Sequence, residues 1–270
     1  MLNDSNILIG FLLTLGAGLA TGIGSLAAFF ARHTDRRFLS FSLGLSAGVM
    51  IYVSFVEILY HARVDMTSLV GPRHAETFVA IAFFGGMALS ALIDKLVPSA
   101  ENPHEMHSIE ELDADRLPSD RKLARMGLFT AIAIAIHNFP EGIATFMSAV
   151  QEPKLGVAIA VAIAIHNIPE GIAVAVPIYF ATRSRRKAFW YSFLSGLAEP
   201  LGATVAFLIL LPFLTPMLLG LIFAAVAGIM IYISFDELLP ASHEWGFYHI
   251  ALYGVVAGMA IMALSLIMLA

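Results

Sequence analysis

Eight apolar runs, at roughly 7–31, 39–61, 75–97, 123–149, 154–181, 188–211, 216–239 and 247–269, restrict the fold of this chain more than any other feature. Each is longer than the ~20 residues a helix needs to cross the hydrocarbon core of a bilayer. Backbone N–H and C=O groups cannot stay unpaired in hydrocarbon, so a spanning segment is either a helix or a strand of a closed barrel. Barrel strands would alternate in polarity over ~10-residue stretches. Runs of this length predict instead an all-α, polytopic membrane protein of eight transmembrane helices. The charge content agrees. Only 13% of the 270 residues are charged and 59% are hydrophobic, whereas a soluble surface needs roughly 25–35% charge and a disordered chain is poor in apolar residues.

Basic residues then orient the bundle. With the N-terminus outside, Arg32, Arg36, Arg37, Lys95, Arg116, Arg121, Lys122, Arg125, Arg183, Arg185, Arg186 and Lys187 fall on the inner side. Only Arg63, Arg73 and Lys154 fall outside. Cytoplasmic loops carry the excess of Lys and Arg, so both termini are expected outside a multi-pass protein of the cell (inner) membrane. The first six residues lack the basic start of a secretory signal, and the first run reads as an uncleaved span. The whole chain, 1–270, reads as a single transmembrane domain. Its one long polar segment, 98–122, is an acidic inner loop holding Glu101, Glu105, Glu110, Glu111, Asp113, Asp115 and Asp120 with His104 and His107, and is expected to be a flexible linker, against the alternative of a weak metal-collecting or regulatory loop.

Internal repeats add architecture. AIAIAIHNFPEGIA at 131–144 returns as AVAIAIHNIPEGIA at 160–173, with twelve of fourteen positions identical. AGVMIYVSFVEIL at 47–59 returns as AGIMIYISFDELL at 227–239, with nine of thirteen identical. A weaker echo joins GLATGIG at 18–24 to GLAEPLG at 196–202. The paired spans run in opposite directions, which predicts inverted-topology repeats: spans 1–3 against 6–8, and span 4 against 5. Such repeats put a substrate site near the bilayer midplane, often on interrupted helices.

The repeated segments carry chemistry. Span four holds His137, Asn138, Pro140, Glu141 and Gly142; span five holds His166, Asn167, Pro169, Glu170 and Gly171. His and Glu are four apart in each, and Asn and Glu three apart, so they share one helix face. Each proline removes a backbone N–H and frees the carbonyl four residues earlier, Ile136 or Ile165. Span six adds Glu199 beside Pro200. A carboxylate at mid-membrane costs about 2.5–3.5 kcal/mol, so three cost on the order of 8–10 kcal/mol unless protonated, hydrated or paired. No Lys or Arg lies at that depth, but a divalent cation offsets two carboxylates at once. Imidazole and amide oxygen complete a nitrogen and oxygen donor set suited to zinc, iron, manganese or cobalt. The chain has no cysteine, which excludes thiolate ligands. A lone intramembrane His or Asn more often glues helices together; two copies of one motif and a third carboxylate favour a metal site.

These motifs resemble the ZIP family of zinc- and iron-transporting proteins, most closely its bacterial zinc-transporter branch, and the resemblance covers essentially the whole chain. It implies a transport site on spans four and five with a sixth-span ligand. His137, Asn138, Glu141, His166, Asn167, Glu170 and Glu199 match the family's ligand positions. It further implies a two-metal centre bridged by Glu141 and Glu170, one metal leaning on histidine and the other on Asn138, Asn167 and Glu199. Asn167 stands where other members have Asp, which lowers the negative charge and widens the expected divalent range. Met50, in span two, corresponds to a thioether ligand of some relatives, although methionine is also common packing material.

Glu57 and His61 fall at the outer end of span two, and Asp236, Glu237 and His243 at the inner end of span seven. They are candidates to collect and release the ion, against ordinary interfacial capping and snorkelling. His33, His74 and His249 read as interfacial. The expected function is therefore import of divalent metal (zinc first, then iron, manganese, cobalt or cadmium) by alternating access, with no cofactor beyond the transported Zn2+ or Fe2+. The expected partners are metal ions, the bilayer and a second copy in a homodimer, with no nucleic acid. A metal-gated channel or receptor is one alternative. An intramembrane zinc hydrolase is another, disfavoured because His-Glu-x-x-His is absent and the pseudo-symmetric ligands supply no separate acid and base, so no enzyme is expected.

Overall fold

The computed structural model describes residues 4–30, 36–96, 120–182, 184–213, 215–244 and 246–269, and among them every regular element is helical. We label the α-helices α1 (Asp4–Phe30), α2 (Arg36–Val53), α3 (Leu59–Val70), α4 (Pro72–Leu96), α5 (Asp120–Gln151), α6 (Pro153–Thr182), α7 (Arg185–Gly196), α8 (Ala198–Val205), α9 (Pro216–Ile233), α10 (Leu239–Glu244) and α11 (Tyr248–Leu269). Most of the acidic 98–122 segment, with His104 and His107, lies outside the described residues, as does His33.

Several boundaries have plain local causes. A single residue, Gly71, turns the chain between α3 and α4 at φ 78, which a side-chain-bearing residue adopts only with strain. Ser184 and Thr215 accept backbone N–H groups at the starts of α7 and α9. α2 passes into α3, and α9 into α10, through wide π turns at Ser54–Ile58 and Ser234–Leu238. These two turns occupy matching places in the 47–59 and 227–239 repeat.

Among the described residues seven helical segments are long and apolar enough to cross a membrane: Asp4–Leu26, Arg37–Val70, Pro72–Lys95, Pro153–Ile172, Arg185–Phe213, Pro216–His243 and Tyr248–Met268. The remaining expected run lies in α5, which is 32 residues long but whose side chains from 120 to 134 are outside the described set.

Packing divides the helices into two groups. α1, α5, α6 and the α7–α8 segment lie against one another; α2 packs mainly on α11, and α9 on α4 and α3. α2 against α6 is the broadest contact between the groups. Met50, Val53, Phe146, Met147, Ile159, Ile163 and Phe223 share one buried apolar core across that seam, while α1, α4 and α11 expose Leu, Ile and Phe outward. Apolar surface on the outside is what a lipid-facing bundle requires.

Candidate metal site

The two repeated motifs lie on adjacent helices, α5 and α6. Contrary to the expectation of interrupted helices, both run through their prolines, Pro140 and Pro169, without a break. In a membrane bundle neighbouring helices, side chains and small local adjustments satisfy the freed backbone groups. The break falls instead in span six, at Leu197, two residues before Glu199, so that Glu199 occupies the first turn of α8.

Glycine sets how closely the other helices approach. A Cβ at Gly142 would lie 2.0 Å from the Glu199 carbonyl oxygen, and one at Gly171 would lie 2.1 Å from the Thr21 carbonyl oxygen. The glycine of one motif thus admits α8 and that of the other admits α1, each at backbone contact.

Asn138, Glu141, His166, Asn167, Glu170 and Glu199 are all buried. His166 Nε2 lies 3.3 Å from Glu141 Oε2, which ties α6 to α5. The Asn167 amide donates to Glu199 Oε1, tying α6 to α8. The same amide group donates to the Ala17 carbonyl of α1 at 2.9 Å, while the Asn138 amide donates to the Ser195 carbonyl of α7 at 3.2 Å. Each asparagine therefore spends its N–H donors on fixed groups. Asn138 Oδ1, Asn167 Oδ1 and Glu199 Oε2 are buried with no hydrogen-bond partner among the described residues. A buried acceptor without a donor costs about 1–3 kcal/mol, and oxygen acceptors of this kind are the donor type that a hard or borderline cation takes. Contacts within the site are pairwise: among the described residues no three His, Asp or Glu side chains stand together at metal-holding range. The side chain of His137 is outside the described set.

Sequence reasoning missed Ser46. Its hydroxyl lies 3.4 Å from both Glu170 Oε1 and the His166 carbonyl oxygen, so α2 touches the site through it. Met50, one turn further along α2, is fully buried in the apolar core; its four-residue spacing from Ser46 was the available signal for that face.

The peripheral candidates lie elsewhere. Glu57 Oε1 and His61 Nε2 are 3.4 Å apart. They line an open cavity of about 460 Å³ together with Tyr52, Glu152, Lys154 and Leu155. Glu152, at the α5–α6 junction, was not singled out from sequence, and Lys154 was named only as an outer basic residue. The α6 wall of the cavity ends at Ala158, eight residues or about 12 Å of helix from His166, with Ile159 and Ile163 of the core between. Asp236 and Glu237 sit in the second π turn, and His243 packs on Tyr248 with ring centroids 4.7 Å apart. His74 and His249 are exposed.

Comparison with known proteins agrees on one family. The family model described as ZIP zinc transporter matches residues 99–266. The chain is 60% identical to "Zinc transporter ZupT" of Oceanobacillus iheyensis, over 98% of this chain and 99% of that protein. It is 59% identical to the protein of the same name from Nitratidesulfovibrio vulgaris, over 99% of each. The namesake from Chlorobium phaeovibrioides is 63% identical, over 96% and 97% respectively.

Proposed function

The chain belongs to the ZIP family of zinc transporters, and from that premise we propose that it imports divalent metal cations, zinc first among them, across the cell membrane. It is a transporter rather than an enzyme, and the metal is its substrate. We read it as a single domain of eight spans, with α5 supplying the fourth. It is arranged as inverted repeats with both termini outside, and the acidic 98–122 segment is a flexible inner linker.

The observation that carries the reading is the buried donor set. Among the described residues Asn138 Oδ1, Asn167 Oδ1 and Glu199 Oε2 lack hydrogen-bond partners, and Glu141 and His166 meet across the α5–α6 contact. A divalent cation arriving here exchanges its water shell for these groups. It takes the place of the Glu141–His166 contact and of the Asn167 donation to Glu199. We assign His137, Asn138, Glu141, His166, Asn167, Glu170 and Glu199 to a two-metal site bridged by Glu141 and Glu170. Exchanging carboxylate–imidazole contacts for metal bonds releases any proton that those groups hold. The broader range of iron, manganese, cobalt and cadmium follows from an oxygen- and amide-rich shell without thiolate.

Access alternates. On the outer side, the Glu57–His61 cavity gathers cations and Met50 faces the route between it and the site; Asp236, Glu237 and His243 receive them inside. Apolar packing of Ile159, Ile163, Met50 and Met147 keeps the outer cavity apart from the site, as a carrier requires when its substrate faces inward. We leave the homodimer as an assembly compatible with the fold.

Purified protein in liposomes supplies the test. The wild type should carry zinc into the lumen, and Glu141→Ala and Glu170→Ala should each abolish uptake while still inserting and folding. Uptake that survives both substitutions rejects this site; ohmic, saturation-free flux would favour the channel reading.

A further inference from the structure

We infer that Thr21 contributes its hydroxyl oxygen to the cargo site, on the Asn138 side. This rests on the transport-site reading above and adds a residue from α1, a helix to which no ligand has been assigned so far.

Thr21 is fully buried and its Oγ1 has no hydrogen-bond partner among the described residues. Among the buried helical hydroxyls Ser40, Ser54 and Thr145 share this lack of a partner, while others satisfy themselves on the carbonyl four residues back. Thr14 donates to Gly10 at 2.7 Å, Ser148 to Ala144 at 2.6 Å, Thr204 to Pro200 at 2.7 Å and Ser234 to Met230 at 2.8 Å. For Thr21 that carbonyl is Ala17, which instead receives the Asn167 amide at 2.9 Å. The hydroxyl turns to the α7–α8 junction, where a Cβ on Gly196 would lie 3.0 Å from Oγ1. The residue before that glycine, Ser195, holds the Asn138 amide through its carbonyl.

The repeat gives these contacts a common meaning. Aligning GLATGIG with GLAEPLG puts Thr21 opposite Glu199 and, one residue before each segment, Ala17 opposite Ser195. The two amide bonds, Asn167 to Ala17 and Asn138 to Ser195, therefore join matching residues. On one side Asn167 faces Glu199. By the repeat, the counterparts on the other side are Asn138 and Thr21, whose Oδ1 and Oγ1 both lack a hydrogen-bond partner among the described residues. The site is thus two half-sites: Asn167, Glu170 and Glu199 form one, and Asn138, Glu141 and Thr21 the other. A neutral hydroxyl replaces a carboxylate in the second. A divalent cation is held there by less charge, which favours passage over trapping.

Thr21→Val removes the hydroxyl and keeps the shape; Thr21→Ser keeps the hydroxyl. Zinc uptake into liposomes and equilibrium zinc titration of the purified protein in detergent are read side by side. In uptake, Thr21→Val should raise KM about three- to tenfold, the span of one lost polar contact. Vmax should stay near wild type, and Thr21→Ser should keep the wild-type KM. A structural role alone would instead lower the amount of folded protein and leave KM unmoved. Should Thr21→Val not insert, Thr21→Ala carries the same comparison. A wild-type KM and a wild-type zinc affinity in the hydroxyl-free variant overturn the inference. A wild type that binds zinc but moves none overturns the transport reading, while weaker zinc binding by Thr21→Val would still stand for Thr21.

Discussion

At the scale of single residues, the asparagines organise the site. Their N–H groups donate to the Ala17 and Ser195 carbonyls and to Glu199, which turns each Oδ1 away from those acceptors. Asn167→Asp would lose two donations and add a charge next to Glu199. It is expected to shift the zinc-to-iron preference in competitive uptake while leaving expression intact, and unchanged relative rates would remove Asn167 from the ligand set. The motif residues themselves were legible because they recur in two copies at fixed spacing. Their carbonyl partners were not, since every residue has a carbonyl and nothing in the side chain of Ala17 marks it. Ser46 was hidden for a related reason: one serine in an apolar helix is ordinary, and only the approach of α2 to α6 makes it a neighbour of Glu170.

At the scale of elements, proline and glycine act differently from what their local preferences suggest. Pro140 and Pro169 sit inside continuous helices, because bundle packing and the i−4 carbonyl's alternatives outweigh the lost bond. The glycine after each proline-glutamate pair is what the architecture depends on. A Cβ at position 142 meets the backbone of Glu199 at 2.0 Å, and backbone cannot rotate aside as a side chain can. Gly142→Ala should therefore push α8 off α5, lowering stability by about 1–3 kcal/mol as overpacking does. Thermal unfolding in detergent, with and without zinc, would show a lower Tm and a smaller zinc-induced rise than wild type. A Tm within error of wild type in both conditions would mean the helices are not held at contact. The paired π turns at Ser54–Ile58 and Ser234–Leu238 had no sequence signature beyond the repeat itself. A π turn is one extra residue accommodated by wider winding, and local composition does not announce it.

At the scale of the whole molecule, the pattern of long apolar runs was enough to reach a helical membrane bundle, and seven of them are matched by candidate spans among the described residues. The grouping of α1, α5, α6 and α7–α8 apart from the helices around α2 and α9 was not legible, because apolar faces of similar composition do not name their partners. Orientation remains a proposal drawn from the placement of Lys and Arg. The absence of cysteine makes it directly testable: Lys154→Cys should react with a membrane-impermeant maleimide in intact cells, and Arg185→Cys only after permeabilisation. The reverse pattern would invert the topology and, with it, the direction of entry and exit.

If access alternates as proposed, the carrier must also make the homeward trip without its passenger, and bare carboxylates would make that trip expensive in lipid. The Glu141–His166 and Asn167–Glu199 contacts supply stand-ins from the protein's own side chains, so Glu141 and Glu199 each have a nearby group to turn to. On that proposal the contacts that cargo displaces on loading would also set how fast the unladen protein resets, and strengthening them would speed the return at the expense of the grip.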